Sequence, residues 1–204
     1  MFMFDHQNRP TMATDIAPEQ SLKLIESMIG QAKRSFQRMS FYFLLWGGLL
    51  MLATLTEYFM NRSGLPNGWL GWPILGALGG IISGMHGARE GRKAGVSTFT
   101  DTVFMWLWSA FMITLVIVIV SSVAMDSRPG PWVSMLTGMP TFITGGILRF
   151  RPLMFGGVLF WVFGLLMLFV WPEHSELLFG LALLCGYIVP GFLLKRQEDG
   201  LRSA

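Results

Sequence analysis

The chain has 204 residues, 52% of them hydrophobic and 13% charged, with a formal net charge of +3. A soluble domain carries about 25% charged residues, so a surface that meets water on all sides is excluded. The single cysteine, Cys185, excludes an intrachain disulfide framework and a Cys-based metal site.

Residues 1–17 are polar and broken by Pro10, which predicts a flexible N-terminus. "MFMFDHQNRP" lacks the basic start and apolar core of a signal peptide, so the first transmembrane helix is expected to direct insertion. Pro18 and Glu19 suit the first turn of a helix. Leu22, Ile25, Ile29, Ala32 and Phe36 then recur at alternating spacings of 3 and 4, so residues 18–40 read as an amphipathic cytoplasmic or interfacial helix. Its narrow apolar face suits the headgroup layer, where it would anchor the first span. The same face, through Leu22, Ile25, Ile29 and Phe36, also suits docking of a cytoplasmic protein partner or a second copy of the chain.

Six apolar blocks follow, at 41–60, 69–85, 103–125, 131–148, 153–171 and 177–194. A helix needs about 20 apolar residues to cross a bilayer. Glu57 is the one Asp, Glu, Lys or Arg within these blocks. Backbone amides in hydrocarbon find no water, so each block is predicted to satisfy them internally as a helix. The expected fold is an all-α membrane protein, with six transmembrane helices over 41–194 and a basic cytoplasmic tail at 195–204. Small pairs recur in the odd blocks ("WGG" 46–48, "WSA" 108–110, "FGG" 155–157) and in the even ones ("GGI" 79–81, "GGI" 145–147, "CGY" 185–187). They read as three pseudo-repeated helical hairpins whose small residues permit close approach. Pro140 and Pro190 are expected to kink their helices.

Block 4 has the most informative polar pattern. Ser134, Thr137, Thr141 and Thr144 recur at 3, 4 and 3, a single hydroxyl stripe expected to face the bundle interior. One reading is packing, with hydroxyls bonded to backbone carbonyls and Thr137 serving groups freed by Pro140. The other is the wall of a cavity or path, to which Glu57 would add an ionisable group. "PEHSE" at 172–176 carries donors for a divalent cation but is short, and Asp101 is expected to cap the third helix. No acid–base pair or nucleophile triad is visible, so no catalytic residue, cofactor or metal is assigned.

Of the 15 Lys and Arg residues, all but Arg62 and Arg128 fall in the N-terminal segment, the loops after helices 2 and 4, and the tail. The positive-inside rule then places both termini in the cytoplasm. The net charge is a sided property and does not imply nucleic acid. "MHGAREGRKAG" at 85–95 is glycine-rich, but it lacks the spacing and the preceding strand of a phosphate loop. Arg89, Arg92, Lys93, Arg149 and Arg151 are expected to meet lipid headgroups instead.

With the spans placed, the chain resembles a family of small six-helix integral membrane proteins of Bacteroidota. The resemblance rests on "SLKLIESMIGQAK", "LLWGGL", "GWPILGALGGIISGMHG", "TFITGGILRFRPLMFGG" and "YIVPGFLLK", and covers most of residues 20–195. Residues 85–95 depart from the pattern in being richer in glycine. The resemblance implies a bacterial inner-membrane protein and a compact bundle, and no activity. The family's members look like genome neighbours of DNA-binding regulators, which implies a sensory or regulatory role. The expected function is a non-enzymatic membrane module that senses, regulates or scaffolds through its N-terminal helix. The alternative is a small transporter or channel lined by the stripe of helix 4.

Overall fold

Residues 113–120 are mostly β-branched and would suit a strand in water. A lone strand in lipid leaves its amides unmet, and a helix does not. This segment is helical, and so is every other apolar block, with no strand among the described residues. The computed structural model describes residues 18–94 and 99–202, with side-chain detail from Met39 onward except at 90, 93–98 and beyond 200. The elements are α1 (Pro18–Arg62), α2 (Gly71–Ala94), α3 (Phe99–Ala124), α4 (Gly130–Ile147), α5 (Arg151–Leu165), α6 (Ser175–Leu183) and α7 (Val189–Arg202). A π-helical turn, Leu166–Val170, extends α5, and another, Leu184–Ile188, joins α6 to α7.

The chain divides into two units, residues 1–34 and residues 35–204. In the first, the backbone is helical from Pro18. The flexible segment read at 1–17 and the side chains of Leu22, Ile25, Ile29, Phe36 and Lys93 lie outside the described residues. The remaining description concerns the second unit.

Three helices end in the same way. After α1, the Leu65 amide bonds the Met60 carbonyl (2.9 Å) and the Gly64 amide that of Asn61 (3.2 Å), with Gly64 at φ 68°. This paired 6→1 and 5→2 closure satisfies carbonyls that the helix end leaves over. α3 repeats it around Asp126 (φ 52°), and α4 around Arg149 (φ 52°). Glycine takes the left-handed conformation without penalty, whereas a Cβ makes it costly.

Five stretches are long and apolar enough to cross a membrane: Met39–Arg62, Gly68–Arg89, Phe99–Ala124, Arg151–Val170 and Pro172–Gly200. Only 6% of the α3 window is buried by the protein. In water such an apolar surface would drive aggregation, so this is a multi-pass membrane protein. α4 falls outside the five, since its 18 residues include hydroxyls and glycines that dilute its apolar character.

α4 is instead a well-enclosed helix, and glycine is the reason. A Cβ on Gly138 would stand 2.8 Å from the Gly157 carbonyl, and one on Gly157 2.7 Å from the Phe142 amide nitrogen. Gly145 approaches the Met154 nitrogen as closely (2.6 Å), and Gly164 the Met135 side chain (2.7 Å). As residue numbers rise on α4 they fall on α5, so the two helices are antiparallel. A Cβ on Gly156 would stand 2.7 Å from the Gly186 carbonyl in the π turn between α6 and α7. That carbonyl is the one to which Pro190, lacking an N–H, cannot donate. One or both glycines of each recurring small pair sit at a close approach (Gly47, Gly79, Gly145, Gly156, Gly157 and Gly186), whereas Gly48, Gly80 and Gly146 face open space among the described residues and Ser109 and Ala110 of α3 are exposed.

The core forms where α1, α5 and the α6–α7 junction meet. Tyr187 packs edge-on against Phe43 (5.3 Å between centroids) and Phe160 (5.0 Å), with Leu153, Met167, Leu183 and Leu194 around them. At one end, Arg128 donates to the Pro172 carbonyl (2.5 Å) and Asn61 to Glu176 (2.8 Å). The turns after α1, α3 and α5 thus share that end. The basic stretch read as a tail from 195 is helical through Arg202. Its Glu198 is buried and accepts a hydrogen bond from Ser40 (2.7 Å).

Candidate functional site

The stripe of α4 begins as a matter of spacing. Steps of 3 and 4 return a helix to nearly the same face, and Ser134, Thr137, Thr141 and Thr144 are all buried. A buried hydroxyl must replace its water with a partner. Ser134 crosses to α5 and donates to the Phe160 carbonyl at 2.7 Å. Thr137 donates to the Val133 carbonyl and Thr141 to that of Thr137, each at 2.7 Å. Pro140 deprives the Leu136 carbonyl of its donor. Thr137 was expected to serve groups freed in this way, but it reaches one turn back to Val133 instead. Thr144 is different. It is fully buried, and its Oγ1 has no hydrogen-bond partner among the described residues.

Tyr187 completes the group. Its side chain, at the α6–α7 π turn, hydrogen-bonds Thr141. π turns inside helices often mark functional positions. Here the turn aims an aromatic hydroxyl at α4 and sets Gly186 against Gly156. The arrangement offers hydroxyl groups only. No Asp, Glu, Lys, Arg or His belongs to it.

Glu57 lies elsewhere. It is half-buried on α1, and its Oε2 accepts from the Trp72 indole at 2.7 Å. Nearby, Asn61 bonds Glu176 of the 172–176 segment. This polar group ties the end of α1 to the starts of α2 and α6. Glu57 has no hydrogen bond to α4 and does not extend the stripe. Among the described residues, no three of His, Cys, Asp and Glu stand together as metal ligands.

The basic residues line the opposite end. Arg89, Arg92, Arg149 and Arg151 are all exposed. α2 continues to Ala94, so "MHGAREGRKA" is helix rather than a phosphate-cradling loop. His86 stacks on Phe41 (centroids 4.1 Å, 27° between planes) and meets Tyr42 edge-on. Asp101 sits within the first turn of α3 instead of before it, so it acts on the helix dipole.

Sequence reasoning passed over Tyr187 and the Ser40–Glu198 pair. The second had a visible signal. Pro190, Leu194 and Glu198 recur every four residues, which puts the carboxylate on the buried face of α7. No protein family, curated protein or solved structure matches the chain.

Proposed function

We propose that the chain is a non-enzymatic, six-spanning inner-membrane module of bacterial origin, with both termini in the cytoplasm. Its role is sensory, regulatory or scaffolding, exerted through the helix at 18–40. The three-hairpin arrangement and the family resemblance to membrane proteins of Bacteroidota belong to this reading. The observation that supports it is the closure of the stripe. Ser134, Thr137 and Thr141 donate to backbone carbonyls, so their protons are already committed and none is left to donate to a solute. A packed interior directs attention to the cytoplasmic helix, whose apolar face has the spacing of a docking or self-association seam. Lipid, a cytoplasmic protein or a second copy of the chain are the partners this implies.

Native mass spectrometry of the gently extracted full-length protein tests it. A retained protein partner or homo-oligomer is expected, lost when Ile25 and Ile29 are both changed to Asp while the bundle stays folded. Association that is indifferent to those changes overturns the reading. The transporter alternative rests on Thr144, whose buried hydroxyl has a hydrogen bond to spare. It requires that Thr141→Val or Thr144→Val alter solute flux in vesicles.

A further inference from the structure

The surface between α4 and α5 is not flat. A groove of about 280 Å³ runs along it, lined by Phe142 of α4 and by Arg151, Met154, Phe155 and Val158 of α5. The α5 residues are spaced at i, i+3, i+4 and i+7, so the groove follows the helix axis for roughly 10 Å. Its walls are apolar throughout, and Arg151 lines one end through its aliphatic stem. Phe155 is 66% exposed and Val158 38%, so the groove opens on the outer surface of the bundle.

We propose that this groove binds one anionic glycerophospholipid, with an acyl chain along Phe142, Phe155 and Val158 and the phosphate on Arg151. The proposal rests on reading Arg151–Val170 as a membrane span, and not on the role assigned to the N-terminal helix. Three observations carry it. First, the groove is apolar along its whole length, and Arg151 contributes its stem to one end while the residue is exposed there, an order of apolar wall then cation that matches an anionic amphiphile. Arginine serves such a site well, since its stem lies on apolar surface while its head stays at the interface. Second, Arg149, on the same turn, is exposed and holds a left-handed φ of 52°. Glycine would adopt that conformation more cheaply, so the fold alone gives no reason for an arginine there. Two residues before Arg151 in the chain, Arg149 is a candidate second cation for the phosphate. Third, the first turn of α5 has no side-chain cap, and its positive end adds to the attraction for an anion.

The chemistry selects against a free anion. Free phosphate would use the arginines and leave the apolar walls unfilled.

The test uses the full-length protein in nanodiscs containing equal amounts of phosphatidylglycerol and phosphatidylcholine with identical chains, released for native mass spectrometry. One phosphatidylglycerol per protein is expected to survive release, in preference to phosphatidylcholine. Arg151→Ala should reduce that preference about fivefold, the effect of one interfacial cation. Arg149→Gly should weaken the preference while raising thermal stability. Val158→Trp fills the groove, and Phe155→Ala widens it without adding bulk. Either should reduce retention of the lipid with the arginines intact. Retention that is equal for the two lipids, or unchanged in Arg151→Ala and Val158→Trp, overturns the proposal. So does a dimer carrying no lipid, or displacement by inorganic phosphate that is as effective in Val158→Trp as in the parent protein.

Discussion

Thr141 and Thr144 sit one helical turn apart on the same face, both fully buried, and yet they are energetic opposites. The Thr141 hydroxyl donates to the Thr137 carbonyl and meets Tyr187. That of Thr144 has no partner among the described residues. Valine matches threonine closely in shape, so Thr→Val isolates the hydroxyl. Thr141→Val should cost about 1 kcal/mol, because it removes a bond and leaves the Tyr187 hydroxyl without its contact. Thr144→Val should be neutral or stabilising by up to about 1 kcal/mol, because it removes an unmet polar group from a dry site. Thermal unfolding of both variants in the same detergent reads the sign. If Thr144→Val is the more damaging of the two, then Thr144 holds a partner such as an ordered water or a solute, and the transporter reading gains ground. Ser134→Ala belongs with Thr141, since it strands the Phe160 carbonyl's second donor across a helix interface.

At the scale of helices, the same residue type does two unlike jobs. Gly156 and Gly157 on α5 are in contact with the backbones of α6–α7 and α4. Gly76, Gly80 and Gly84 on α2 keep small-residue spacing, but a Cβ there meets nothing within 4 Å among the described residues. Gly156→Ala must separate α5 from Gly186 by moving backbone, and should destabilise by about 1–3 kcal/mol, as overpacked sites do. Gly80→Ala should stabilise by up to about 1 kcal/mol through helix propensity. A detergent melt of the two variants decides between them, and equal effects would mean that spacing alone governs. This contrast also shows how far the sequence could be read. Apolar blocks and the buried side of α4 were legible because they depend on local period and on the solvent that backbone amides require, whereas helix ends were not: α1 runs unbroken from Pro18 to Arg62 through the boundary read at 40. Which glycines are crossings was not, because Gly80 and Gly156 look alike until a neighbouring helix is placed beside each. The aim of Tyr187 was hidden for the same reason, since a π turn shifts helical phase by about one residue and moves every side chain after it. The Glu57–Trp72 bond was hidden as well, for nothing in the spacing said that α1 offers that residue to α2.

For the whole molecule, the question is whether α4 crosses the membrane. By composition it does not qualify, and at 18 residues it is roughly 27 Å long, a little short of a bilayer core of about 30 Å. Composition, however, measures fitness for lipid contact, and α4 makes its contacts with protein. A helix enclosed by neighbours can carry hydroxyls that would be costly against acyl chains. Geometry argues for crossing. α4 lies antiparallel to α5, itself of spanning length with its π turn, through contacts from Gly145–Met154 at one end to Met135–Gly164 at the other. Its first residues follow Arg128, which is bonded to Pro172 at the far end of α5. A helix that keeps pace with a spanning partner over that distance is expected to span as well. Charge agrees, since Arg149 and Arg151 then join Arg89 and Arg92 on the cytoplasmic side. The expectation is testable with single cysteines in a Cys185→Ser background, labelled by a membrane-impermeant maleimide on intact cells. Ser63→Cys and Ser127→Cys should label from outside, and Gly91→Cys and Gln197→Cys only after the membrane is opened. Five spans would place residue 197 on the side opposite to residue 91. Labelling of Gln197→Cys on intact cells, with Gly91→Cys still protected, would therefore remove α4 from the membrane and overturn the cytoplasmic assignment of the C-terminus with it.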